Sequence, residues 1–83
     1  MKYRAAVTVS LKPTVLDAQG DTVRAGLHRL GYAGVESARV GKYIELLLVA
    51  ADEAAARREA ERMCADLLAN PIIEDFTVRI TPA

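Results

Sequence analysis

An α+β fold with elements in the order β-α-β-β-α-β is what this sequence predicts, and three observations predict it. Residues 3–11 and 74–81, near the two ends of the chain, alternate apolar and polar residues with the period of a half-buried strand. The segments after Asp17 and Asp52 instead carry apolar residues at the spacing of one helix face. Between these helices lies an apolar run, 43–50, preceded by a Gly-Lys pair and a short strand-like segment.

The first strand, 3–11, sets Tyr3, Ala5, Val7, Val9 and Leu11 on one face and Arg4, Ala6, Thr8 and Ser10 on the other. Lys12-Pro13 ends it, because proline has no N–H to give to a ladder. Asp17 fits a helix N-cap, and Asp21 complements the positive end of the helix dipole. Val23, Leu27 and Leu30 form the apolar stripe of this first helix, and Gly31 closes it as a left-handed cap. Residues 35–40 read as a short second strand and Gly41-Lys42 as a turn into the third, 43–50. Ile44, Leu46 and Leu48 line one face of that third strand, and Tyr43, Leu47 and Val49 the other. Asp52 caps a second helix over 52–69 whose buried stripe is Ala56, Ala60, Met63, Cys64 and Leu67, with Glu53–Arg57 and Arg62–Asp66 as i,i+4 pairs on the wet face. Asn70-Pro71 stops it, and the last strand, 74–81, points Phe76, Val78 and Ile80 to one side.

The simplest assembly of these elements is a ferredoxin-like two-layer sandwich: one domain over residues 1–83, a four-stranded, mainly antiparallel sheet, and both helices on one face. Two helices cover only one face, yet the third strand is apolar on both. An exposed row of Tyr43, Leu47 and Val49 makes a patch that monomers seldom tolerate, so these three are the expected self-association residues.

Composition narrows the function. The chain has 83 residues, 52% hydrophobic and 27% charged, a globular balance. Eleven basic and eleven acidic residues give zero net charge, which argues against a dedicated nucleic-acid binder and removes a barrier to self-association. One cysteine excludes an internal disulfide and a cysteine-based metal cluster. No apolar run reaches the ~18 residues of a membrane helix, and no export signal is read at the start, so a cytoplasmic location is expected.

Catalytic constellations are missing from this inventory. Cys64 stands alone on a helix core face, and His28 has no second His or Cys at metal spacing. Adjacent Glu74 and Asp75 point to opposite faces of a strand and cannot converge on one substrate atom. The segment Lys12–Gly20 has too few glycines and lysines for a phosphate loop. Three loops remain, 11–20, 39–42 and 70–76, each joining a turn former to charged residues that together carry both signs.

The strings LKPTVLDAQG, LHRLGY, ARVGKYIEL and LLANPIIEDFTV, in this order and spacing, resemble the PurS family, small subunits of phosphoribosylformylglycinamidine (FGAM) synthase. The resemblance runs from about residue 5 to residue 81. One departure is Ala18, where the family pattern has proline after the loop aspartate. The resemblance implies a non-catalytic adaptor between a glutaminase subunit, PurQ, and an ATP-dependent synthetase subunit, PurL, in de novo purine biosynthesis. It implies no cofactor bound by this chain, ATP and Mg used by the full complex, and a homodimer or dimer of dimers. The implied interface or scaffold set is Lys12, Asp17, Gln19, Gly20, Arg39, Gly41, Lys42, Asn70, Pro71, Glu74 and Asp75. Two other readings stay open on the residues alone: a small ferredoxin-like regulatory module that binds a ligand at a dimer interface, and a small independent enzyme.

Overall fold

In the computed structural model, which describes all 83 residues, the elements are β1 (Lys2–Leu11), α1 (Ala18–Arg29), β2 (Gly41–Val49), α2 (Glu53–Met63) with a π turn (Cys64–Leu68), and β3 (Glu74–Pro82). The sheet has three strands, in the order β2-β1-β3, and both pairings are antiparallel. The alternation read in β1 is the one that folds: Tyr3, Ala5, Val7 and Val9 are buried under the helix layer. Opposite Val7 stand Ile44 and Val78, and opposite Ala5 stand Leu46 and Ile80, so apolar rows cross the sheet.

α2 begins where Asp52 Oδ1 accepts the Ala55 N–H at 2.8 Å. It lies over β1 and β3, with Ala56 and Ala60 fully buried, so that small side chains let the helix approach the sheet closely. Cys64 continues this stripe, fully buried. The helix then widens by one residue, with Ala69 N–H bonded to the Cys64 carbonyl at 2.9 Å. The extra residue rotates the last turn, so the half-buried residue is Leu68, and Leu67, expected in the stripe, is exposed; Met63, also expected there, is exposed as well. The expected Glu53–Arg57 and Arg62–Asp66 pairs do not form; Arg57 instead donates to the Val78 carbonyl at 3.0 Å.

The four-stranded sandwich with two helices on one face is corrected at two points. Residues 35–40 pair with no strand, and Gly41-Lys42 is not a turn but the start of β2, opposite Ser10 and Val9. A two-residue hairpin turn needs positive φ at its central residues, and Gly31 is the only residue with positive φ. Gly41 serves close approach instead: a Cβ there would lie 2.5 Å from the Val9 carbonyl oxygen. Residues 35–40 therefore lead into β2 without a two-residue hairpin turn.

The second correction is α1, which makes no extensive contact with any strand. Gly31 (φ +100°) does terminate it as expected, with Gly31 N–H bonded to the His28 carbonyl and Tyr32 N–H to the Leu27 carbonyl, both at 3.0 Å. The chain then returns along the helix. Arg24 Nε donates to the Glu36 carbonyl at 3.0 Å, and His28 Nε2 donates to the Val35 carbonyl at 2.7 Å. α1 and residues 35–40 thus form an arm joined to one end of the sheet, and the molecule is 50 Å long, against about 33 Å for a ten-residue strand.

Candidate partner interface

The three polar loops meet at the end of the sheet from which the arm departs, because β1 ends there while β2 and β3 begin there. Lys12 Nζ pairs with Asp75 Oδ1 at 2.7 Å, and Lys42 Nζ lies 3.8 Å from Glu74 Oε2. Glu74 Oε1 accepts the Asn70 N–H, and Asn70 Oδ1 accepts the Ile72 N–H at 3.0 Å, which folds the Asn70-Pro71 turn back on β3. Lys12 N–H bonds the Ile73 carbonyl at 2.9 Å and ties the first loop to the third.

Asp17 joins the first loop to the second. Its Oδ1 accepts the Gly20 N–H, capping α1, and its Oδ2 accepts the Val40 N–H, both at 2.8 Å. The bond from Val40, then that from Gly20, holds its carboxyl below the ordinary carboxylate value; burial opposes them and Arg39 adds to them. Arg39 spreads its guanidinium over the carbonyls of Val15 (3.2 Å), Leu11 (3.4 Å) and Lys12 (3.0 Å).

This geometry divides the sequence-derived set. Asp17, Gly20 and Gly41 are scaffold: Asp17 and Gly20 are buried, Gly41 lies against β1, and a Cβ on Gly20 would collide with the Ala38 carbonyl oxygen. Arg39 is exposed but spends its donors on the loop. Lys12, Gln19, Lys42, Asn70, Pro71, Glu74 and Asp75 line or border two clefts. One, of 220 Å³, reaches from Gln19 and Lys42 to Glu74; the other, of 430 Å³, opens between Lys12, Pro71 and Asp75 above Cys64. Burial, with Glu61 nearby, pushes the Cys64 thiol up and keeps it protonated.

The polar reading of these loops passes over four exposed apolar side chains on them and on the adjoining π turn: Leu16, Leu67, Ile72 and Ile73. Their signal was the presence of Val15-Leu16 and Ile72-Ile73 inside turn-forming sequence. On the outer face of the sheet, Tyr43 (63% exposed), Leu47 (63%) and Val49 (71%) form the expected apolar row, interrupted by the Arg4–Glu45 pair at 2.9 Å.

Comparison with known proteins places the chain in a family. The family model described as PurS, phosphoribosylformylglycinamidine (FGAM) synthase, matches residues 4–82. The PurS subunit of this synthase from Synechocystis is 49% identical over 79 residues, 95% of this chain and 79% of that protein. The Bacillus subtilis subunit is 42% identical over 78 residues, 94% of this chain and 92% of that one. Among solved structures, Methanocaldococcus jannaschii PurS superposes with TM-score 0.87 at 33% identity, covering 98% of both chains. A chain in the structure of PurLQS from Thermotoga maritima superposes with TM-score 0.89 at 28% identity, covering 98% of this chain and 99% of that one.

Proposed function

Because the chain belongs to the PurS family, and is thus a subunit of the FGAM synthase of purine biosynthesis, we propose that it acts as a non-catalytic adaptor that holds the PurL synthetase beside the PurQ glutaminase. Support for the bridge comes from one observation above the others: three loops whose opposite charges meet, and an apolar rim, share one end of the sheet. That end joins charge complementarity to buriable apolar surface, the composition of a protein-protein interface. The Thermotoga maritima structure described as PurLQS is consistent with it.

Ammonia freed from glutamine is lost by diffusion and protonation, so the subunit that makes it and the subunit that uses it must be close. A bridge raises the effective concentration of each near the other without changing either catalytic site. Lys12, Gln19, Lys42, Asn70, Pro71, Glu74 and Asp75 face the larger subunits in this reading, while Asp17, Gly20, Arg39 and Gly41 hold the loops that carry them. Tyr43, Leu47 and Val49 meet a further copy of the chain. ATP and Mg belong to the larger subunits. The assembly works in the cytoplasm; no helix of this chain is long and apolar enough to cross a membrane.

The test is glutamine-dependent synthase activity of PurL plus PurQ from the same source, with and without this chain. Size exclusion in glutamine and Mg-ADP follows the same mixtures. Activity and co-elution that need the chain are the expected result. Full activity without it, and no co-elution, would overturn the adaptor reading.

A further inference from the structure

The π turn that ends α2 borders an unfilled cleft of 430 Å³. Cys64, Ala65 and Ala69 line it from the turn, and their small side chains leave it open; Pro71 and Phe76 line it from the chain that leads into β3. Leu67 and Ile72 each stand within two residues of a lining residue, yet neither enters the cleft. They are 83% and 80% exposed, so two large apolar side chains stand in water beside it.

The same turn presents free acceptors. Ala69 N–H goes to the Cys64 carbonyl, Asn70 N–H to Glu74 Oε1 and Ile72 N–H to Asn70 Oδ1; Ile73 N–H goes to the Asn70 carbonyl, and Pro71 has no N–H. The carbonyls of Asp66, Leu67 and Leu68 therefore accept no hydrogen bond from the chain. They stand at the negative end of the helix dipole. The Asp66 carboxylate beside them has no ion-pair partner. Of the charged groups that line the cleft, Glu74 and Asp75 are carboxylates and Lys12 alone is a cation, already held by Asp75 at 2.7 Å. The cleft thus joins apolar walls to a surplus of negative charge and unpaired oxygen atoms.

We propose that this cleft is the socket for a loop of one of the larger subunits, which inserts an apolar side chain between Ala65 and Phe76 and sets an arginine on the carbonyls of Asp66–Leu68. Arginine fits because its planar fork carries five donors, enough for several carbonyls at once, and its charge complements the acidic border. Leu67 and Ile72 form the apolar collar that keeps water from the anchor. The socket is continuous with the loop end already described, since Lys12, Glu74 and Asp75 belong to both. The inference rests on the adaptor reading and goes beyond it by naming the anchor point and the chemistry of the segment that fills it.

The first test titrates PurL and PurQ from the same source, separately and together, with the native chain and three variants. Ala65→Phe blocks the cleft, and Asp66→Lys sets a cation against the arginine; each should weaken association about tenfold or more. Both positions are exposed, so circular dichroism should match the native chain. Glu59→Lys makes the same charge reversal on α2 away from the cleft and should leave association unchanged. Native affinity in Ala65→Phe or Asp66→Lys overturns the socket and leaves the adaptor reading standing. A native chain that binds neither subunit overturns both. Photo-cross-linking decides independently. Benzoylphenylalanine in place of Leu67 should link to a loop of PurL or PurQ, and changing the arginine of that loop to glutamate should restore binding to the Asp66→Lys chain. A link that reaches only a second copy of this chain, no link at all, or a linked loop without arginine overturns the proposal.

Discussion

Asp17 and Val40 stand 23 positions apart, and the Asp17 carboxylate accepts the Val40 N–H at 2.8 Å while its other oxygen caps α1. One side chain therefore fixes both ends of the arm where they leave the sheet. Asp17→Asn keeps the size and removes the charge. Faster hydrogen exchange at the Val40 and Gly20 amides is expected, by tenfold or more, with amides of β1 unaffected. The pH dependence has a definite sign. The folded carboxyl lies below its ordinary value of 3.8, so its contribution is complete above that pH and is lost as pH falls through the lowered value. Acid titration of the native chain should show this loss, and the asparagine variant should not.

Arg39 and Lys42 flank Gly41 but differ in role. Lys42 holds only a long, exposed pair with Glu74, which contributes little to stability. Lys42→Glu should leave the melting temperature within about 2 °C and weaken association with the larger subunits in a pull-down. Arg39→Glu strips donors from the Val15, Leu11 and Lys12 carbonyls and should cost about 1 kcal/mol, or roughly 4–8 °C in melting temperature. Equal stability of the two variants would show that Arg39 does not shape the loop.

What was legible in the sequence is what local physics decides. The alternation of β1 and the caps at Asp17, Asp52 and Gly31 rest on neighbours within a few residues, and all four fold as read. Residues 35–40 read as a strand and form none, because the pairing that makes a short segment a strand is not encoded nearby. The π turn escaped because a single inserted residue leaves no compositional trace, yet it exchanges Leu67 for Leu68 against the sheet. The i,i+4 pairs on α2 failed because each is worth only about 0.2–0.5 kcal/mol, less than Arg57 gains at a carbonyl of β3. At the loop end, the polar residues are legible and the apolar rim is not, since Leu16 and Ile72 stand inside turn-forming sequence with no periodicity to assign them a face.

Leu47 lies at the centre of the exposed outer row, between Tyr43 and Val49. If another copy covers that row, Leu47→Asp buries an unpaired charge at the contact and should reduce the assembly to a smaller species in light scattering. The side chain is exposed within one copy, so circular dichroism of the variant should match the native chain. Native mass in the variant would remove this face from self-association.

Ala60 has no accessible surface and sits between α2 and the sheet, next to Ala56 in the same cluster as Tyr3, Ala5 and Ile80. The core is thin, so it offers few side chains that can shift. Ala60→Leu should overpack it and cost about 1–3 kcal/mol, which lowers the urea midpoint without changing the slope of the transition. The neighbouring position supplies the control, because Glu59 is exposed on the wet side of α2. Glu59→Leu places the same side chain one residue away, outside the core, and should leave the midpoint nearly unchanged.

Gly20 sets two principles against each other. It lies in the first turn of α1, where alanine is the better helix former by up to about 1 kcal/mol, so helix propensity alone predicts that Gly20→Ala stabilises the chain. The surroundings predict the reverse. A Cβ at this position would collide with the Ala38 carbonyl oxygen and lie 2.7 Å from Asp17 Oδ2, and neither atom can move without breaking the junction between α1 and residues 35–40. Backbone must give way, at about 1–3 kcal/mol, so the net effect should be a melting temperature several degrees lower, accompanied by faster exchange at the Val40 amide. Gly26→Ala supplies the comparison, because a Cβ there meets only the flexible end of Arg29, at 3.9 Å, and helix propensity acts unopposed. Destabilisation at residue 20 with stabilisation at residue 26 would locate the effect in the contact between α1 and the returning segment 35–40. Stabilisation at both would mean that the arm is not held to α1 in solution.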